Sequence, residues 1–210
     1  PSAVQSVTKK PNMNLITKLT IASSIAASAA VAQTAPEAPV STAGLLGQRH
    51  VSAGFGYIDV NHSRVDAFAT GITGNLPVSA NVDLSVSYAH SWLESMSSVT
   101  EDTVSAGATV FFADQGLKPF AGAAVGYTWN DFDNGALWTV EAGVEYALGA
   151  RSALTVSAGY GDLFDGDNEG SFSATVGANT WLNEGWGLTA DVTLVEGGDL
   201  GVSAGVAFRF

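Results

Sequence analysis

The chain has 210 residues, 46% of them hydrophobic and only 13% charged, with no cysteine and with 20 acidic residues against 8 Lys and Arg. Disorder requires low hydrophobicity, disulfide scaffolds and Cys-ligated metal sites require cysteine, and a basic nucleic-acid binder has the opposite charge; all three are excluded. No run of 18 apolar residues is free of polar interruption, which argues against membrane-spanning helices.

In chain order, residues 1–12 precede Met13 and read as a non-native or spurious segment. Met13 opens a signal peptide over residues 13–32: Lys18 lies in a short basic region, Leu19 to about Ala29 form an apolar stretch, and Ala30-Val31-Ala32 is a cleavage signal. Cleavage there removes Lys9, Lys10 and Lys18 and no acid, so the mature chain is more acidic still. Residues 33–47, with Pro36 and Pro39, have the composition of a flexible linker.

From residue 48 onward one pattern repeats. Leu200, Val202, Ala204, Val206, Phe208 and Phe210 alternate with Gly201, Ser203, Gly205, Ala207 and Arg209. That period of two places one apolar and one small or polar face on a strand. The same alternation predicts about ten strands, near 48–60, 64–76, 82–92, 100–112, 118–129, 136–148, 152–162, 170–182, 186–196 and 199–210. The second is the least regular, because Phe68, Thr70 and Ile72 mix the faces. Pro77 and Pro119 are expected at a turn and a strand start, where a missing N–H is tolerated.

Period two is shared by soluble sandwiches and membrane barrels, so the decision rests on which face is the interior. The non-apolar face is mostly Gly, Ser, Thr and Ala, small enough for the inside of a narrow barrel. On the apolar face the aromatics gather at strand ends. Tyr57, Trp92, Tyr127, Trp129, Trp138, Tyr160 and Phe172 fall at one rim, and Phe112, Tyr146, Trp186, Phe208 and Phe210 at the other. Two aromatic girdles around an aliphatic band describe a transmembrane barrel. The expected fold is therefore all-β: a closed antiparallel transmembrane barrel over residues 48–210, of about ten strands with eight as the alternative. Asp66, Asp83, Glu141, Glu145 and Asp191 are expected to face the lumen, with Arg209 low on the side of the termini and Arg49 unassigned.

The export signal, the alternating strands and the terminal VAFRF ending in Phe210 resemble the small outer-membrane β-barrel proteins of Gram-negative bacteria, the transmembrane domain of OmpA among them. The resemblance covers residues 48–210. It implies insertion in the bacterial outer membrane among outer-membrane lipid and lipopolysaccharide. It also implies that Val206, Phe208 and Phe210 are read by the barrel-assembly machinery. With both termini in the periplasm, 12 acids, among them Glu94, Glu101 and Asp102, fall in segments facing outside with Arg64 as the only base, while Lys118 and Arg151 fall at periplasmic turns. The acidic rim reads as a solvated surface; bridging to lipopolysaccharide phosphates through divalent cations is the sharper alternative.

Candidate chemistry is sparse. Asp165, Asp167 and Glu169 resemble the start of a calcium loop, but the position that should hold a bidentate Glu is Val176; an acidic hairpin tip fits better and no metal site is assigned. His62-Ser63 and His90-Ser91 put imidazole beside hydroxyl, yet neighbours on a strand point to opposite faces, so no catalytic set is assigned and no cofactor is implied. The expected role is structural or porin-like, a narrow passage for ions or small solutes. A lipid A- or peptide-modifying enzyme and a surface interaction protein are the alternatives.

Overall fold

A computed structural model describes residues 43–60, 66–94, 96–130, 134–164 and 170–210. Ten strands follow in order: β1 (His50–Asp59), β2 (Ala67–Ser79), β3 (Val82–Leu93), β4 (Met96–Phe111), β5 (Leu117–Asn130), β6 (Asn134–Ala147), β7 (Ser152–Leu163), β8 (Ser171–Trp181), β9 (Trp186–Val195) and β10 (Asp199–Arg209). Each pairs antiparallel with its neighbours in sequence, and β1 closes on β10 from His50↔Arg209 to Asp59↔Leu200. The fold is thus the closed barrel that alternation implied, with ten strands rather than eight. Closure leaves no edge whose N–H and C=O groups would face hydrocarbon unpaired.

Strand polarity follows the pattern residue by residue. In β9 the odd positions from Gly187 to Val195 are covered or part-covered, while Trp186, Leu188, Val192 and Leu194 lie on the outer wall. Val144, Val156, Val176, Val192 and Val202 are successive cross-strand partners from β6 to β10, a continuous aliphatic band around the waist. Both predicted girdles face outward at the two ends. Tyr160 packs on Trp138 and Phe172, Tyr127 stacks on Trp129, and Trp186 and Phe210 flank Phe208. Rings that are apolar in body and polar at the tip favour the membrane–water interface.

One hairpin detail differs from expectation. Pro77 sits inside β2 opposite Asp83, where the register slips before Ser79; the slip accommodates the missing N–H that a regular ladder would need. Between β4 and β5, Asp114 and Leu117 exchange two backbone hydrogen bonds of 2.8 and 2.7 Å across Gln115 and Gly116, both at positive φ. That mirror-image turn matches the twist of the strands it joins.

Candidate functional site

Both described chain ends lie at the same end of the barrel, called here the near end. The lumen has three zones, and each follows from the residue types that face inward.

At the near end the lumen is closed by the chain itself. Residues 1–42 lie outside the described residues, but residues 43–48 fold into the mouth as a strap, so the last part of the expected linker is ordered. The cause is a ring of polar side chains that needs partners when buried. Glu145 accepts hydrogen bonds from the backbone N–H groups of Leu45 (2.7 Å) and Leu46 (3.2 Å), and Asp83 from that of Gly47 (2.8 Å). Lys118 donates to the Leu46 carbonyl at 2.7 Å and pairs with Glu145 at 2.9 Å. Asn179 donates to Ala43 O (2.8 Å), Trp181 Nε1 to Gly44 O (3.3 Å), and Asn75 to Gln48 O. Gly44 is required for the close approach, since a Cβ there would lie 1.8 Å from Glu145 Oε1. Lys118 therefore points into the lumen rather than marking a turn, because β5 places it at an inward position opposite Glu145. Arg209 lies at this mouth as expected, 4.5 Å over the Trp181 ring and donating to Gln48 Oε1 at 3.3 Å. Arg49 lies outside it, against Phe210.

The middle zone is lined by hydroxyls and glycine. Ser87 bonds Ser105 at 2.6 Å, Thr103 bonds Thr128 at 3.2 Å, and Thr175 bonds Thr193 at 3.0 Å. A cavity of about 170 Å³ lies in this zone, and a second of about 90 Å³ shares Ser52, Thr73, Thr189 and Asp191 with it and reaches outward-facing Ala53, Phe55 and Ala204 in the wall of β1 and β10. Each exceeds by several-fold the roughly 15 Å³ that one water needs. Glu141 and Asp191 face the larger one. Glu141 is hydrogen-bonded to Ser157, and Asp191 accepts from Ser203 at 3.2 Å. Among the described residues, no Lys, Arg or His lines either cavity.

At the far end the interior turns apolar: Ile58, Val60, Ala67, Leu93 and Val195 form a buried cluster with Val99 against it. These are inward positions where aliphatic residues take the place of small polar ones. Glu101 and Asp199, expected in outside-facing segments, are buried on inward positions of β4 and β10 instead. Glu101 lies within the strand expected over 100–112 and shares the inward parity of Thr103 and Ser105, so alternation itself turns it into the lumen.

Of the lumen candidates, Asp83, Glu141, Glu145, Asp191 and Arg209 face inward. Asp66 does not. It shares the parity of Phe68 and Ile72, which face outward, and it is hydrogen-bonded to Tyr57 on the outer wall. The irregular face pattern of this segment hid that register. His50 is buried beneath the strap with Nδ1 3.0 Å from Gln48 O. Asp165, Asp167, Glu169, His62 and Arg64 lie outside the described residues, and no group of three or more metal-ligating side chains occurs among the described ones. His90 faces outward and Ser91 inward, as alternation requires. On the outer wall His90 Nδ1 lies 2.9 Å from Asp102 Oδ1, which also accepts from the Tyr88 hydroxyl. Parity turns His90 outward, but the cross-strand register that sets it opposite Asp102 cannot be read from alternation.

A closed ten-stranded barrel with an aliphatic waist, two aromatic girdles and a small polar lumen has the build of a transmembrane β-barrel. No family model and no curated sequence matches the chain. Its fold is similar to that of the KdgM porin (TM-score 0.46, 7% identity, 77% of this chain and 99% of the other) and of Neisserial surface protein A (0.42, 16%, 77% and 95%). The same holds for the N-terminal barrel domain of OprF from Pseudomonas aeruginosa (0.39, 16%, 78% and 98%).

Proposed function

We propose that this protein resides in the outer membrane of a Gram-negative envelope and carries a narrow, cation-preferring passage that its own strap keeps closed at rest. The observation that carries the reading is the pair Glu141 and Asp191, which both face the larger cavity, lined in part by Ser and Thr hydroxyls and by no described base. A purely structural barrel gains nothing from enclosing two acids whose partners are hydroxyls alone, because burying a charge without an opposite charge is costly. A cation passing through supplies the missing positive charge. Outer-membrane lipid and lipopolysaccharide are then its surroundings, and Val206, Phe208 and Phe210 on the outer wall are available to the assembly machinery. A non-enzymatic role is supported by the polar residues of the outer wall: His90 is held by Asp102 and Tyr88, while Ser91 points away from it.

Planar-bilayer recording of the full chain tests this. Rare, small openings are expected for wild type, with more frequent ones for Glu145→Gln, and with reversal potentials in a KCl gradient that favour K⁺. The double variant Glu141→Gln/Asp191→Asn should lose that preference. Absence of discrete conductance in both wild type and Glu145→Gln would remove the passage and leave a structural envelope protein.

A further inference from the structure

The outer wall carries one polar group that neither the passage nor the girdles account for. Tyr88 and His90 on β3 and Asp102 on β4 are all outward-facing. His90 pairs with Asp102, and Tyr88 with its neighbour Val104, across the strands. Both Tyr88 Oη and His90 Nδ1 bond the same oxygen, Asp102 Oδ1. An ionised carboxylate only accepts, so Nδ1 carries the proton, and in that tautomer of the neutral ring Nε2 is an acceptor. Asp102 Oδ2 likewise has no hydrogen-bond partner among the described residues. The side chains remain 36% (His90) and 23% (Asp102) accessible. The wall therefore displays two adjacent acceptors and one negative charge toward the membrane.

Their surroundings define what can sit there. His90 lies against Trp92, ring centroids 5.7 Å apart, and Asp102 is the cross-strand partner of Trp129, itself stacked on Tyr127. This is the far girdle, the level at which lipid headgroups lie. A phosphate-only headgroup offers neither donors nor complementary charge. A quaternary ammonium has charge and suits aromatic faces, but it has no N–H for Oδ2 and Nε2. A primary ammonium supplies all three: positive charge, three N–H donors, and affinity for Trp faces.

We propose that Asp102, His90 and Tyr88, framed by Trp92 and Trp129, form a binding site on the outer wall for a lipid headgroup bearing a primary ammonium. The site is independent of whether the lumen conducts. Tyr88 and His90 orient the carboxylate, Oδ2 and Nε2 accept from the ammonium, and the indoles shield the contact from water.

Native mass spectrometry of the folded full-length barrel with equimolar phosphatidylethanolamine, its mono- and dimethylated forms, phosphatidylcholine and phosphatidylglycerol reads this out. Retention should fall stepwise with methylation, on the order of tenfold from phosphatidylethanolamine to phosphatidylcholine, as loss of a charge-assisted bond implies. Phosphatidylglycerol should bind no better than phosphatidylcholine. Asp102→Asn should abolish the ethanolamine preference, and Val192→Ala on the lipid wall elsewhere should preserve it. Equal retention along the methylation series in wild type would overturn the site. So would an unchanged preference in folded Asp102→Asn. The methylation series needs only wild-type protein, so the proposal can fail even if the variant does not insert.

Discussion

Replacing Glu145 by Gln tests whether residues 43–48 are a docked unit or a loosely trapped end. The carboxylate accepts two backbone N–H groups and pairs with Lys118 in a site where both side chains are at most 4% exposed. Hydrogen bonds to a charged group contribute about 1.5–3 kcal/mol each, and disrupting a buried ion pair costs about 3–5 kcal/mol. An amide of the same shape keeps part of the hydrogen bonding, so the net weakening of docking should be about 3 kcal/mol. That is roughly a 100-fold shift toward the open strap. Hydrogen exchange at the amides of Leu45, Leu46 and Gly47 measures it. The Gly47 amide is the informative one, because its acceptor is Asp83 and is untouched by the substitution. If the strap moves as a unit, all three amides accelerate together by about that factor. Wild-type protection at Gly47 alongside fast exchange at Leu45 and Leu46 would refute cooperative docking. Unchanged exchange at all three would refute Glu145 as an anchor.

Gly44→Val, whose Cβ meets Glu145 at 1.8 Å, should reproduce the exchange signature of Glu145→Gln while leaving barrel unfolding in urea unchanged. Val176→Arg, at the middle of β8 on the outer wall, should destabilise the barrel in lipid vesicles by about 2–4 kcal/mol, read from gel mobility across a urea titration; equal stability would mean that water, not hydrocarbon, wets that face. Gly143→Val should cost about 1–3 kcal/mol in the same assay, because a Cβ there lies 2.4 Å from Val156 O and 2.8 Å from Phe120 Cζ. Gly149→Val has nothing within 4 Å and should be silent.

The architecture was largely legible because a closed membrane barrel writes its geometry directly into alternation. Every strand has one face in lipid and one in a crowded interior, so period two runs unbroken from β5 to β10. Where the period was ambiguous, as at Phe68 and Ile72, the facing of Asp66 came out inverted. The candidate site was only half legible. Glu141, Glu145 and Asp191 declare themselves as acids on the small-residue face. The strap does not, because residues 43–48 carry no periodic pattern; their structure is dictated by acceptors and donors contributed by strands far away in sequence. Nor could the Asp102–His90–Tyr88 group be read, since alternation gives the facing of each residue but not the register that sets His90 on β3 opposite Asp102 on β4.

The anchors of residues 43–48 reside on β2, β3, β5, β6, β8 and β10. Those strands form a ring of fixed diameter only once the first and last have zipped together. Seating of residues 43–48 is therefore expected late in assembly, because a sheet that is still open does not yet bring their anchors together. Pulse-labelled refolding should show the β1–β10 amides protected before those of Leu45 and Leu46. The buried residues then serve as a molecular receipt for a completed cylinder.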